Sequence, residues 1–181
     1  MSEQVSNLNG APPDKAASFV DAVLKRCEKD KGYAARLRRA DNPDTEYQCW
    51  ETLAAFGVDL EKEYQRLPYT TVAASVARSK AEGIGTLPLG KAIAQCYEDG
   101  NASDQARAKI RRLLACHDIQ EVCRILRPLL TLVQSRVGRP LDYVRLLKQL
   151  LRFSWYSQNV KAQWAQEFYA KIRETPGEEA A

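Results

Sequence analysis

The chain has 181 residues, of which 45% are hydrophobic and 28% are charged, and its formal net charge is +4. This length supports one hydrophobic core and is short for two, and the composition is that of a soluble globular domain. No stretch approaches the roughly 20 consecutive apolar residues of a membrane span, and the polar residues 1–15 lack the apolar segment of a secretory signal, so we expect a cytoplasmic protein.

The N-terminal quarter predicts a tail followed by two short helices. Residues 1–15 are rich in Ser, Asn, Gly and Pro, which predicts a disordered tail. A helical stripe over residues 19–27 should end near Gly32, because glycine is suited to the position after a helix C-terminus. A short basic helix follows over residues 33–40, before the Asp-, Asn- and Pro-rich break at residues 41–44.

The next part of the chain predicts three further helices. One should run over residues 45–57, with Trp50 on its apolar face. Pro68 is expected to open the next helix, since proline is tolerated in the first helical turn. For the same reason, Pro88 should lie in the first turn of a helix over residues 89–96.

Residues 103–114 predict a helix with an ordinary buried face and a basic outer face. Ser103 can cap its N-terminus. The apolar residues recur at i, i+4, i+7 and i+8, as on one face of an α-helix, and are Ala106, Ile110, Leu113 and Leu114. The flanks and back of the same helix carry Arg107, Lys109, Arg111 and Arg112.

Residues 119–133 predict a second helix of the same kind. Asp118 and Glu121 have the spacing of a capping box, with Asp in place of Ser or Thr. The apolar stripe leaves Arg124 and Arg127 pointing outward. Pro128 lies inside the pattern and should kink or split the helix, because it lacks an N–H and crowds the carbonyl four residues earlier.

The C-terminal part predicts a central helix over residues 141–152, a terminal helix over residues 160–172 and an acidic tail over residues 174–181. No segment alternates with period two for long enough to predict a strand. We therefore predict an all-α fold, a single helical bundle of about eight helices without a sheet, that spans residues 16–173 as one domain.

Charge is distributed unevenly along the chain. Residues 101–152 hold eleven Lys and Arg against four Asp and Glu, a local net charge of +7, whereas residues 41–67 hold seven acids against Lys62 and Arg66. Clustered positive charge is what a phosphate backbone selects for. A solvated helix face explains the same pattern equally well when only the residues are considered.

Residues 85–92, Gly-Thr-Leu-Pro-Leu-Gly-Lys-Ala, come within one residue of a P-loop. Ala92 stands where that motif needs Ser or Thr to hold Mg²⁺, and residues 75–82 predict a helix where the motif needs a strand. Pro88 also removes one of the backbone N–H groups that would bind phosphate. These departures argue against a nucleotide site.

The residue types that carry catalysis or bind metal do not form a recognisable set. His117 is the sole histidine, and its neighbour Cys116 points about 100° away on a helix. Zinc needs about four ligands, and nothing completes a site around Cys116 and Cys123. The five cysteines are an odd number scattered through helical patterns, so we expect reduced, mostly buried thiols. We predict no enzymatic activity, no metal and no cofactor.

Aromatic residues offer a contact surface as well as core packing. Trp50, Trp164 and Phe168 lie on apolar helical faces, which favours core packing. Trp155 and Tyr156 fall in the loop expected between the last two helices, where they could contact a partner.

Several segments resemble a known family when taken in order. They are residues 34–39 (AARLRR), 89–94 (LGKAIA), the basic helix at 107–114, 139–147 (RPLDYVRLL) and 164–169 (WAQEFY). The set resembles CasB, the small subunit of Cascade, the type I-E CRISPR surveillance complex, and covers roughly residues 18–173. Lys91, where the family more often has Arg, and Pro128 are departures from the pattern.

The resemblance implies an all-helical, non-catalytic protein that sits as a pair in Cascade beside the backbone and large subunits. There it would contact the guide RNA and target DNA and hold the displaced DNA strand. The basic positions that match the family are Arg38, Arg39, Lys91, Arg107, Arg111, Arg112, Arg124 and Arg127, and the first choices among them are Arg38, Arg39, Arg107 and Arg111. A helical adaptor whose basic face docks an acidic protein would use the same residues, so both functions remain open at this point.

Overall fold

The computed structural model describes residues 14–79 and 81–171, and within these ranges it confirms the all-α prediction. The helices are α1 (Lys15–Lys29), α2 (Lys31–Arg39), α3 (Trp50–Ala55), α4 (Glu63–Arg78), α5 (Leu89–Gln95), α6 (Asp104–Leu114), α7 (Ile119–Arg136) and α8 (Tyr143–Tyr169). Two 3-10 helices, Pro43–Cys49 and Gly100–Ala102, complete the helical elements. In the same ranges the β-structure is one isolated bridge between Leu87 and Leu141, and no helix is long and apolar enough to cross a membrane.

Helix α4 forms the centre of the bundle. Every residue from Leu67 to Ala77 is buried, as expected of a helix that other helices enclose on all sides. It packs against α1, α2, α7 and α8. Ser75 on this helix is bonded, as burial requires: its Oγ donates to Tyr143 Oη at 3.2 Å, and its carbonyl accepts from Gln134 Nε2 at 2.7 Å. Helix α4 therefore sets the relative positions of α2 and α7, which carry several of the predicted site residues.

Two prolines lie inside helices; the position of Pro68 corrects its prediction, and that of Pro128 excludes the split that was one of its two expected effects. Pro68 is the sixth residue of α4 and does not open it. Pro128 lies within α7, which continues from Ile119 to Arg136 without being split. Each proline removes one backbone hydrogen bond, but the buried neighbours Leu67 and Leu129 hold the two helices in place by packing.

The turns of the N-terminal half also differ from the predictions. Asp30, and not Gly32, ends α1, and its side chain caps α2 by accepting a hydrogen bond from Tyr33 N at 2.9 Å. Gly32 lies inside α2. The helix predicted over residues 45–57 begins as the 3-10 helix Pro43–Cys49 and becomes α-helical at Trp50. It stops as predicted near Gly57, whose φ of 70° suits glycine.

The last helix is longer than predicted. The central and terminal helices expected from the sequence are one element, α8, interrupted at Tyr156, where φ is −129° and ψ is 39°. The predicted loop is thus a break of a single residue. Ile172 and the acidic tail at residues 174–181 lie outside the described residues.

The N-terminal boundary lies at the start of α1. Lys15 is the first residue of α1, and the side chain of Asp14 caps it by accepting from Ala16 N at 3.1 Å. Asp14 also bonds the ammonium of Lys148 on α8, which lowers the pKa of the Asp14 carboxyl. Residues 14 and 15 therefore belong to the folded part of the chain, and the rest of the predicted tail lies outside the described residues.

The glycines of the P-loop-like segment serve close packing. A Cβ atom on Gly90 would lie 2.3 Å from the carbonyl oxygen of Trp164 on α8. A Cβ atom on Gly85 would lie 2.2 Å from the carbonyl oxygen of Pro140. Such contacts are far inside van der Waals distance. Both glycines are needed for α5 and its preceding loop to lie against α8 and the loop before it, which explains the pattern without a nucleotide.

Candidate nucleic-acid interface

Helix α6 presents its basic residues because its other face is fixed in the core. Ser103 caps the helix as predicted, and its hydroxyl accepts a hydrogen bond from Ala106 N at 3.3 Å. Ala106, Ile110 and Leu113 are fully buried, and α6 packs against α5, α7 and α8. This packing directs the outer face of the helix into solvent, where the exposed residues include Lys109, Arg111 and Arg112.

The four basic residues Arg107, Lys109, Arg111 and Arg112, here called the α6 surface, have no ion pair with any carboxylate in residues 14–79 and 81–171. Arg111 and Arg112 lie in the last turn of α6, where a cation also interacts favourably with the helix dipole. The α6 surface therefore holds positive charge that the described protein does not neutralise.

Arg107 differs from the other three residues of the α6 surface. It is half-buried, and its Nε donates to the carbonyl of Asn101 at 2.9 Å. Asn101 in turn donates through Nδ2 to the carbonyl of Phe168 on α8 at 3.3 Å. Arg107 thus helps to hold the turn before α6, and its remaining guanidinium N–H groups are available to a ligand.

A second group of arginines surrounds Asp41 and is here called the Asp41 junction: Asp41, Arg38, Arg78 and Arg127. Arg78 Nη2 lies 2.7 Å from Asp41 Oδ2, and Arg127 Nε lies 3.7 Å from Asp41 Oδ1. Arg38 Nη1 donates to the carbonyl of Ala77 at 3.3 Å. The hydrogen bonds join the ends of α2 and α4, and the charge of Arg127 brings the middle of α7 to the same carboxylate.

The predicted site residues therefore fall into separate groups. Arg107, Arg111 and Arg112 lie together on α6, Arg38 and Arg127 belong to the Asp41 junction, Arg39 is exposed at the end of α2, and Lys91 is exposed on α5. Arg124 is exposed and lies 3.9 Å from Glu121. The eight residues thus come from four helices, α2, α5, α6 and α7.

The prediction that Arg127 points outward is wrong, because only 15% of its side chain is exposed. Helix α7 packs against α4, and the Arg127 guanidinium lies near the Asp41 carboxylate. The periodicity of α7 could not predict this contact, because Asp41 lies on a distant segment of the chain.

Sequence reasoning left out two basic residues of these groups. Lys109 is exposed on α6 with Arg112 and could have been included from the helical pattern alone. Arg78 could not, because its role depends on Asp41, which lies 37 residues away in the chain. Trp50 was expected in the core and is 40% exposed, because the 3-10 helix before it turns its ring to the surface.

The other aromatic predictions are confirmed in their exposure. Trp164 and Phe168 are buried, and Trp155 and Tyr156 are exposed. Trp155 makes an edge-to-face contact with Tyr64, with ring centroids 4.7 Å apart. The guanidinium of Arg152 lies 5.1 Å from the ring centre of Tyr156.

The groups that could support chemistry are isolated or unreactive. His117 is exposed, and its backbone N–H donates to Glu121 Oε2 at 2.9 Å. All five cysteines are free thiols, four of them buried, and burial raises the pKa of Cys27, Cys49 and Cys123 to about 11. The described residues contain no cluster of His, Cys, Asp and Glu that could hold a metal ion. What the exposed basic residues can do is bind anions.

Comparison with solved structures finds the same fold in a group of related proteins. The crystal structure of TTHB189, a CRISPR-associated protein of the Cse2 family from Thermus thermophilus, matches with a TM-score of 0.66 at 25% identity, over 86% of this chain and 98% of that chain. The crystal structure of M. ruber CasB matches with a TM-score of 0.66 at 23% identity, over 84% of this chain and 93% of that one.

A chain of a CRISPR RNA-guided surveillance complex matches with a TM-score of 0.65 at 23% identity, over 85% of this chain and 90% of that one. Among curated protein sequences, none matches significantly. The family model of CRISPR-associated protein Cse2 matches residues 33–169, which include most of α2 with Arg38 and Arg39, the Asp41 junction and the whole α6 surface. This match covers well over half of the sequence, and the chain belongs to the Cse2 (CasB) family of CRISPR-associated proteins.

Proposed function

We propose that the chain is the non-catalytic small subunit of an RNA-guided CRISPR surveillance complex, type I-E Cascade, and that its α6 surface holds the displaced strand of target DNA. Membership of the Cse2 family and the likeness to a chain of a surveillance complex support the first part. The observation that carries the second part is the exposure of Lys109, Arg111 and Arg112 without a carboxylate partner among the described residues.

The physical role of such a surface follows from the energetics of strand exchange. The guide RNA–DNA hybrid is about as stable as the DNA duplex it replaces, so modest protein contacts decide whether the opened state persists. A displaced strand that stays free re-anneals. A row of cations captures it through its phosphates without reading its sequence, and arginine suits this because its planar guanidinium can bind two phosphate oxygens.

The same proposal includes the partners. The chain acts in the cytoplasm beside the backbone and large subunits, next to a second copy of itself, and in contact with guide RNA. It contributes binding and no chemistry, an interpretation supported by its mostly buried thiols and its lone exposed histidine. Magnesium-dependent cleavage of DNA by the pure protein, abolished by a single substitution, would contradict it.

The test is the double variant Arg111→Glu and Arg112→Glu, built into the assembled complex. Both side chains are exposed and outside the core, so the complex should assemble and the guide–target hybrid should form. The displaced strand should become sensitive to a single-strand nuclease, and the open state should decay faster. Lys29→Glu with Lys31→Glu is a matched control, since both residues are exposed, lie at the junction of α1 and α2 and produce the same change of charge.

Two other results would contradict the proposal. An unchanged lifetime of the open state in a correctly assembled complex would move the strand-holding role to Arg38 and Arg39. Loss of assembly itself, with the control complex intact, would favour the adaptor function, in which the α6 surface docks an acidic partner protein.

A further inference from the structure

A groove of about 520 Å³, to which α6 contributes no lining residue, lies between the 3-10 helix Pro43–Cys49, the start of α3, and helices α4 and α7. Its size is that of a small-ligand site. Tyr47 and Trp50 contribute aromatic rings to its lining, and α7 contributes Arg124 and Arg127. Tyr47 is 60% exposed and Trp50 40% exposed, so the core does not account for either ring.

The carboxylates of this groove are already satisfied within the protein. Glu46 is buried, and its Oε1 accepts from Arg66 Nε at 2.7 Å and from the indole N–H of Trp50 at 3.3 Å. Glu63 lies 3.7 Å from Arg66 and accepts a hydrogen bond from the side-chain amide of Gln120. Because these carboxylates are already paired, the groove is not a cation site. The hydrogen bond to Glu46 also holds the Trp50 ring in place.

Arg66 is bonded to Glu46, but the other two arginines of the groove, Arg124 and Arg127, are not satisfied in the same way. Arg127 Nε is buried and has no hydrogen-bond partner within residues 14–79 and 81–171. Its separation of 3.7 Å from Asp41 Oδ1 is too long for a hydrogen bond, and Arg78 bonds the other oxygen of that carboxylate. Arg124 is 74% exposed, and the carboxylate of Glu121 lies 3.9 Å from it. The groove thus has donors for an anion beside exposed flat rings.

We infer that this groove is a subsite for single-stranded nucleic acid, in which an unpaired base stacks on Trp50 and the neighbouring phosphate binds Arg124 and Arg127. A nucleotide supplies a binding partner for both kinds of group, a planar base for the Trp50 ring and a phosphate for the arginines, whereas an acidic peptide supplies the anion alone. Base stacking on an aromatic side chain is tolerant of sequence. The exposed acids Asp44 and Glu51, next to the lining residues in the chain, repel further phosphates, which limits the contact to about one nucleotide.

The inference rests on the proposed function in that it requires single-stranded nucleic acid as the ligand, and the experiment separates the two. The full chain is titrated with a thymidine oligonucleotide and with an abasic oligomer of equal length, which carries the same phosphates without bases. The wild type should bind the thymidine oligomer about five- to 100-fold more tightly. Trp50→Ala should remove this preference and Trp50→Phe should largely keep it.

Two further variants serve as matched controls. Trp155→Ala removes another exposed indole, on α8, and should leave the preference unchanged. Arg124→Gln should weaken the binding of both oligomers, because it removes a phosphate contact and no stacking surface. If Trp50→Ala does not fold, the tryptophan fluorescence of the Trp155→Phe variant decides the matter. Its two remaining indoles are the exposed Trp50 and the fully buried Trp164, and the thymidine oligomer should quench the part of the fluorescence that comes from Trp50.

The outcomes that overturn the inference are distinct from those that overturn the proposed function. Equal, salt-dependent affinity of the wild type for both oligomers excludes the stacking subsite and leaves the proposed function standing. Trp50 fluorescence that the thymidine oligomer does not quench likewise excludes the stacking subsite and leaves the proposed function standing. No binding of either oligomer overturns both. Tighter binding of a polyglutamate peptide than of either oligomer, if Arg124→Gln weakens it, shows that the groove docks an acidic protein segment.

Discussion

The α6 surface and the Asp41 junction are both arginine-rich, yet the protein uses them differently. In the α6 surface, four cations come from successive turns of one helix and meet no carboxylate in the described residues. In the Asp41 junction, arginines from α2, α4 and α7 converge on one acid and on the Ala77 carbonyl. Lys109, Arg111 and Arg112 on one helix thus remain available to a ligand, whereas Arg78 of the Asp41 junction is bonded to the acid and holds distant segments of the fold together.

The largest effect is expected from damage to the buried face of α6. Ile110→Ala deletes methylene groups from a fully buried side chain and should lower the free energy of unfolding by about 2–5 kcal/mol. Urea denaturation at room temperature measures this value. The Arg111→Ala and Arg112→Ala variants should each stay within about 0.5 kcal/mol of the wild type, and losses as large as that of Ile110→Ala would mean that these arginines are structural.

A smaller loss should follow from removal of the acid at the Asp41 junction. Asp41→Ala leaves Arg78 and Arg127, both largely buried, with like charges facing each other, and should cost about 2–3 kcal/mol, somewhat below the value for fully buried pairs. The measurement is again urea denaturation. Glu98→Ala, at an exposed acid between α5 and α6, should change stability by less than about 0.5 kcal/mol. An equal loss in both variants would mean that Asp41 stabilises the fold no more than an ordinary surface acid does.

One matched pair of substitutions compares the two regions directly. Arg112→Gln should leave stability nearly unchanged but reduce the salt dependence of single-stranded DNA binding by about 0.7 in log–log slope, the contribution of one phosphate contact. If about four phosphates are contacted, the wild-type slope should be near −3. Arg78→Gln should cost about 1.5–3 kcal/mol of stability and leave the slope as it is. Affinity that is independent of salt in the wild type would reject an electrostatic surface altogether.

The last prediction involves no substitution and thus no change in stability or binding; it uses one cysteine near each region. Cys27 lies near Arg38, and Cys116 follows α6. Burial raises the pKa of both, that of Cys27 to about 11 despite the nearby Arg38 and Arg26. At pH 8 only about one Cys27 thiol in a thousand is then ionised, so the native protein should react slowly with maleimide and the denatured protein rapidly. Fast reaction of one thiol in the native state would reveal local opening of its region.

The sequence predicted those parts of the structure that depend on near neighbours along the chain. The cap at Ser103, the buried stripe through Ile110 and the capping residues Asp118 and Glu121 all follow from helical periodicity and side-chain hydrogen bonding within one turn. The exposed residues Arg111 and Arg112 follow from the same pattern. This is why the α6 surface can be drawn from the sequence alone.

The remaining features depend on contacts between distant segments. Burial of α4 on every side gives little amphipathic pattern, and the pairing of Asp41 with Arg78 and Arg127 has no local signature. Pro68 and Pro128 stay inside helices because tertiary packing outweighs a lost hydrogen bond. The exposed ring of Trp50 results from the 3-10 turn before it, which helical periodicity does not predict.

The packing of α8 against α5 has a consequence for synthesis of the protein. The close approach of Gly90 to the Trp164 carbonyl and the ion pair of Lys148 with Asp14 join the last helix to segments that leave the ribosome much earlier. Contacts of such long sequence separation form late and slowly. The core side of α5 therefore stays largely uncovered until α8 has been synthesised, whereas α1 can already pack against α2 and α4. Until then the apolar surface of α5 is open to chaperones or to misassembly with another nascent chain.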